Sequence, residues 1–244
     1  MFFESDGEKL AAIIDMPTKP NGNGVVLLHC FTCTKHHRIM RNLAKDLCDS
    51  GFCVLRFDFP GNGESEGKIE DSTYTKMIHS VSDAVSMLKS RGMEKIGLAG
   101  HSMGAMIALL AAKDERIDAV AFIAGSSKPG RVREVFPKEA VEKAEREGIA
   151  EAFVYGRTIK LKREFLIDLE KHSVEAAVKT LSKPILIVHG SKDETINVEH
   201  AKKLYSWANQ PKKLEIIDGA DHLFKDEKHL EKLKEAVAKW FQSF

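Results

Sequence analysis

Short apolar runs alternate with stretches of helical periodicity along most of this chain, and that alternation leaves few architectures open. Residues 25–30 read as one apolar run broken only by His29, as expected of a central strand covered on both faces. Residues 118–124 and 184–189 read as two more buried strands, and 52–58, 95–99 and 213–218 as strands. Between them Ile39, Met40, Leu43 and Leu47 mark one helical face, and Tyr74, Met77, Val81, Ala84, Val85 and Leu88 another. Residues 105–113 and 198–207 and the row Leu230, Leu233, Val237, Trp240 continue the pattern. Residues 2–5 and 9–16, joined by Asp6-Gly7, predict a hairpin at the start. The fold class is α/β: a mostly parallel central sheet with helices on both faces.

One stretch departs from this rhythm. More than fifty residues separate Gly125 from Lys183, too many for a plain connection in a compact domain. They carry patterns of their own: helices over 138–147, 161–171 and 174–181, and a hairpin over 153–161 across Gly156. The expected organisation is a single domain over 1–244, with a core of 1–125 and 183–244 and a small cap insertion over 126–182. Phe153, Tyr155, Phe165 and Leu166 of the cap are the expected walls of a substrate pocket.

Charge narrows the partners. Lys plus Arg number 37 against 36 Asp plus Glu, a formal net charge of +1, so no basic field exists to hold nucleic acid. No apolar run is long enough to span a membrane. Glu4, Asp6 and Glu8 stand where a secretory leader would need basic and then apolar residues, so a cytoplasmic location is expected. The expected partner is a small molecule; oligomeric state is not legible.

The strongest chemical signal is Gly100-x-Ser102-x-Gly104 where a strand runs into a helix. Such a turn raises the serine hydroxyl above the sheet edge, tolerates only small residues two positions either side, and aims the helix amides at a developing oxyanion. A serine hydroxyl also needs a base, and the base needs an orienting acid. In chains with this turn the order is Ser, acid, His, each on a loop after a strand. The strand over 184–189 runs into Gly190-Ser191-Lys192-Asp193, and the strand over 213–218 into Gly219-Ala220-Asp221-His222. Of ten histidines only His222 lies just past the last strand. Ser102, His222 and Asp193 are therefore the expected nucleophile, base and acid, with Glu194 and Asp221 as rivals of Asp193. The expected oxyanion donors are the backbone amides of Met103 and of Phe31, on the loop after residues 25–30. His29 reads as a buried brace for that loop. Asp58 and Ser65, in Asp58-x-x-Gly61-x-Gly63-x-Ser65, read as a structural tie.

Gly-His-Ser-Met-Gly, His-Gly-Ser-Lys-Asp and Gly-Ala-Asp-His, with Arg56-Phe57-Asp58-Phe59-Pro60-Gly61, resemble the α/β-hydrolase esterases, including their cinnamoyl/feruloyl-esterase-like branch. The stretch His29-Cys30-Phe31-Thr32-Cys33-Thr34-Lys35 is similar to the hydrolase half of proteins fused to an OsmC-like peroxide-reducing domain. Many relatives carry glycine after the histidine, where this chain has Cys30. The resemblance implies a serine carboxylesterase acting on small or medium acyl esters without a cofactor. Thioesterase and aminopeptidase-type amidase chemistry use the same groups, and a non-catalytic or redox partner of a separate OsmC-like protein is an alternative of another class.

Cys30-x-x-Cys33, followed by His36 and His37, has three readings. Reduced bystander thiols lead, ahead of a redox pair and of a metal site that lacks a second ligand pair. No metal is expected.

Overall fold

A computed structural model describes residues 1–128 and 133–243. Of the expected cap, residues 129–132 lie outside the described residues. The sheet has eight strands in the order β1-β2-β4-β3-β5-β6-β9-β10. β1 (Phe2–Ser5) and β2 (Glu8–Asp15) form the opening hairpin, and β2 pairs antiparallel with β4 (Cys53–Phe57). The turn works because Asp6 and Gly7 both take positive φ, 47° and 78°, which suits the right-handed twist of the flanking strands. β3 (Gly24–Leu28), β5 (Ile96–His101), β6 (Ala119–Ile123), β9 (Ile185–Gly190) and β10 (Lys212–Ile217) are joined in parallel, with β4 on the other side of β3.

The central strands are predominantly apolar because helices cover both faces. Val25 and Leu27 of β3 face a layer containing α1 (Arg38–Asp49) and α8 (Glu227–Gln242). Val26 and Leu28 face α2 (Tyr74–Ser90), α3 (Met103–Ala111) and α7 (Glu199–Trp207). β9 alternates in the same way, with Ile185 and Ile187 on one side and Leu186 and Val188 on the other. From β3 the chain steps outward to β4 and then returns through α2 to β5. The order therefore reverses between β3 and β5, and the carboxyl ends of strands at such a switch point leave a crevice where ligands bind.

The cap segment enters between β6 and β9. It contains α4 (Lys138–Glu147), the antiparallel pair β7 (Ile149–Val154) and β8 (Arg157–Lys162), α5 (Arg163–Glu170) and α6 (Val174–Thr180). Gly148 ends α4 at φ 91°, and the Ser173 hydroxyl accepts the Ala176 N–H at 3.1 Å to start α6. The hairpin begins four residues before the expected 153, since Ile149 already pairs with Lys162. Period-two alternation then decides which side chains turn inward: Ala150, Ala152 and Val154 are buried, whereas Ile149 and Phe153 are exposed.

α5 anchors the cap on α2. Phe165 packs edge-on against buried Tyr74, with ring centroids 6.2 Å apart. The Asp168 carboxylate accepts the Thr75 N–H at 3.0 Å and the Thr75 hydroxyl at 2.6 Å, at the positive end of α2.

Candidate active site

Ser102 stands between β5 and α3 at φ 57° and ψ −115°, a region that non-glycine residues occupy only when their surroundings force it. Its N–H donates to Ile123 O on β6 at 2.9 Å and its carbonyl accepts the Ala105 N–H at 3.1 Å, so both sides of the turn are held. Both flanking glycines are compelled by space. A Cβ on Gly100 would lie 2.1 Å from Gly104 O, and one on Gly104 would lie 2.2 Å from Leu28 O.

The loops after β9 and β10 are stitched together, which sets the geometry of their side chains. Lys192 N–H donates to Ala220 O at 3.0 Å, and the Ser191 hydroxyl donates to Asp218 at 2.9 Å while accepting the Gly219 N–H at 2.7 Å. Any side chain at Gly190 would put its Cβ 2.3 Å from Ala220 O. The result brings His222 Nδ1 to 2.7 Å from Asp193 Oδ2, and His222 Nε2 to 3.2 Å from Ser102 Oγ.

Asp193 is buried, and Oδ1 accepts the backbone N–H groups of Thr195 at 2.9 Å and Ile196 at 2.7 Å. Burial by itself would raise this carboxyl. Hydrogen bonds from His189 and His222, the His222 charge and the Ile196 amide outweigh it and hold the group well below the usual carboxylate range. Glu194 is exposed, and Asp221 turns away to accept the Lys225 N–H at 2.9 Å. Sequence reasoning did not single out His189. It is fully buried at the end of β9, with Nε2 2.7 Å from Ile196 O and 3.1 Å from Asp193 Oδ2.

The loop after β3 closes the other side. Cys33 N–H donates to Cys30 O at 3.1 Å across Phe31 and Thr32, and Thr32 takes φ 60°. Buried His29 braces this turn: Nδ1 lies 2.8 Å from Cys30 O, and Nε2 accepts the Phe59 N–H at 3.0 Å. Burial lowers the His29 pKa to about 4, so the imidazole stays neutral. Among the described residues no acceptor takes the Phe31 N–H, and Met103, as the first residue of α3, has an N–H without an intrahelical acceptor. Asp58 is fully buried and ties the neighbouring loop, accepting Lys35 N and Nζ at 2.6 Å each and Glu64 N at 3.0 Å. Ser65 Oγ donates to Asp58 O at 2.6 Å.

The reduced-thiol expectation is corrected here, because Cys30 and Cys33 form a disulfide. A turn that brings their Cα atoms to 5.3 Å places the two sulfurs within bonding reach.

A cleft of about 220 Å³ opens beside Ser102. Phe31, Met103, Met106, Val135 and Ile196 give it apolar walls, Glu134 and Glu194 add carboxylates, and Tyr155 reaches it from the tip of the cap hairpin. Three of the expected walls are misplaced. Phe153 faces outward at 71% exposure, on the outer side of its strand, and Phe165 is committed to Tyr74 and a separate small cavity. Leu166 is likewise buried in the core. Met106, one helical turn past Ser102, was legible as a wall from its position on α3.

Comparison with known proteins agrees with this architecture. Residues 23–146 match the family described as alpha/beta hydrolase fold. Est1E from Butyrivibrio proteoclasticus, solved with ferulic acid bound, superposes with a TM-score of 0.83 at 28% identity, over 100% of this chain and 98% of that one. The esterase domain of a Rhodothermus marinus protein superposes at 0.77, also 28% identical, over 100% and 97%. Human Protein ABHD12B is 31% identical over an alignment of 185 residues that covers 70% of this chain and 45% of the human protein. Among the described residues no helix is long and apolar enough to cross a membrane. With its eight-stranded sheet, its serine on a forced turn between β5 and α3, and these matches, the chain belongs to the α/β-hydrolase fold family and is a hydrolase of the esterase type.

Proposed function

We propose that the protein is a serine carboxylesterase for small or medium acyl esters, working through Ser102, His222 and Asp193. The observation that carries this reading is the continuous relay from Asp193 through His222 to Ser102, at 2.7 and 3.2 Å. An ionised Asp193 accepts from Nδ1 of His222, which leaves the lone pair of Nε2 facing the serine hydroxyl. His222 takes the Ser102 proton as Oγ attacks the ester carbonyl, and the Phe31 and Met103 amides receive the oxyanion. The imidazolium protonates the leaving alcohol, and the neutral imidazole so regenerated activates the water that releases the acid. Asp193 stays ionised throughout.

The cleft supports the size of the acyl group. At about 220 Å³ the cleft lies just below the usual range of ligand pockets, roughly 300–1,000 Å³, in keeping with a small or medium acyl group. Its walls are mostly apolar, and Glu134 and Glu194 disfavour an acyl chain ending in a carboxylate. Labelling by a fluorophosphonate probe tests the nucleophile, and a panel of p-nitrophenyl esters of graded acyl length tests the substrate class. Labelling that persists in Ser102→Ala, or turnover rising steadily toward long acyl chains, refutes the corresponding half of the proposal.

A further inference from the structure

Cys30-x-x-Cys33 and His37 make half of a metal-binding pattern in the sequence, and the fold supplies a ligand from elsewhere. His101 ends β5, the strand beside β3, and reaches the same point. One ligating atom from each of Cys30, His37 and His101 lies within 4.8 Å of the other two. The two imidazoles are stacked, 9° from parallel with centroids 5.9 Å apart.

Both rings have an idle nitrogen. His101 is fully buried, and its Nε2 lies 2.9 Å from the backbone oxygen of His222. A carbonyl only accepts, so Nε2 carries the proton and Nδ1 keeps its lone pair. That Nδ1 is buried with no hydrogen-bond partner, and so is Nδ1 of His37. Two buried ring nitrogens without a hydrogen-bond partner stand side by side, and the hydrolytic reading uses neither. A backbone carbonyl that holds the proton on one ring nitrogen and leaves the other bare is the usual arrangement behind a ligating histidine.

We propose that, once its disulfide is reduced, the protein binds one zinc-class divalent cation through Cys30, Cys33, His37 and His101. A dithiol reductant transfers two electrons and two protons to the Cys30–Cys33 bond, yielding two thiols and becoming a disulfide itself. The cation then displaces both thiol protons to solvent, while the imidazoles bind as neutral donors. Two thiolates and two imidazoles suit a tetrahedral, borderline-soft ion, with bonds of roughly 2.3 Å to sulfur and roughly 2.0 Å to nitrogen. The present spacing of up to 4.8 Å joins Cys30, His37 and His101, with Cys33 tied to the cluster through its bond to Cys30; reaching those lengths takes rotation of both released cysteine side chains together with a turn of the partly buried His37 imidazole. In the disulfide form the sulfurs carry no charge to donate, so the site exists in one redox state only. His36, exposed and 3.8 Å from Glu64, takes no part.

The test is cobalt titration of the full chain in two states, as the disulfide and after dithiol reduction with anaerobic desalting. The reduced protein is expected to bind one Co²⁺, with the visible bands of a tetrahedral site and a thiolate-to-cobalt charge-transfer band that Zn²⁺ abolishes. The disulfide form is expected to show neither. Cys48 and Cys53 are free in both states, so an equal signal in both would come from them and overturn the proposal. His37→Ala and Cys33→Ser should each weaken binding by roughly 100-fold, at the top of the range for a lost supporting group. Unchanged affinity in both variants, or an octahedral spectrum alone in the reduced wild type, also overturns it. His37 is only partly buried, and the wild-type comparison needs no variant, so failure of His101→Ala to fold leaves the test decisive. The readout does not involve ester turnover and stands apart from the proposed hydrolysis.

Discussion

Asp193→Asn is nearly isosteric, and the surroundings determine which way the new amide faces. Oδ1 of Asp193 accepts two backbone N–H groups, from Thr195 at 2.9 Å and Ile196 at 2.7 Å. Only the amide oxygen can sit there, so the NH₂ must take the place of Oδ2. It then donates to His222 Nδ1, which forces the imidazole proton onto Nε2, facing Ser102. The base can no longer accept the serine proton, and the imidazolium loses its counter-charge. We expect kcat to fall about 10⁴-fold, about 5 kcal/mol of transition-state stabilisation. The same NH₂ meets a second donor. His189 Nε2, 2.7 Å from Ile196 O and 3.1 Å from Oδ2, carries a proton that now points at another N–H group. That frustrated contact should cost about 1–3 kcal/mol of stability, at roughly 2–4 °C of Tm per kcal/mol for a chain of this size. Steady-state turnover of a p-nitrophenyl ester and a thermal melt measure the two effects separately. A loss of turnover under tenfold, or a larger one in Glu194→Gln, would refute the assignment of the acid; an unchanged Tm would refute the role given to His189.

Ser102→Gly should abolish turnover yet stabilise the fold by on the order of 1 kcal/mol, because glycine accepts the positive φ without a Cβ penalty; a lower urea midpoint would mean the turn is not strained. Tyr155→Ala should shift the preference among acyl lengths by ~1–3 kcal/mol, whereas Phe153→Ala, facing solvent, should leave the profile unchanged; the reverse pattern would place the cleft on the other face of the hairpin. Acid should expose the ionisation of Asp193. Its folded value is depressed, so its contribution to stability is present above the unfolded value of roughly 3.9 and is lost as pH falls below it. Unfolding free energies at pH 5 and pH 3 should therefore differ less in Asp193→Asn than in the wild type, and equal slopes would count against a charged, hydrogen-bonded carboxylate.

Local sequence settled most of the architecture because the signals were local in origin. A strand buried on both faces has to be apolar at every position, as residues 25–28 are, and Asp6-Gly7 suits a hairpin because both residues tolerate left-handed backbone. Gly100 and Gly104 announced the serine turn because close backbone approach leaves no room for a Cβ there. The closeness of Asp193 to His222 follows from their places after consecutive strands. Other pairwise contacts across the chain were not legible. The cap hairpin could be sensed at Gly156, but whether Phe153 or Val154 turned inward depended on its register with β8, and one residue of register exchanges the two faces. Phe165 was recognisable as a large apolar side chain, yet only the packing of α5 on α2 decided that it meets Tyr74 rather than the cleft. The Cys30–Cys33 bond required a turn whose closure places two sulfurs together, and spacing alone does not report that. His101 stands beside the nucleophile in sequence and beside His37 only in space, because β3 and β5 become neighbours when the chain reverses its strand order. Composition and periodicity act within one element, where covalent geometry carries the information; a partner on another strand is chosen by topology, which forms only when the whole core closes.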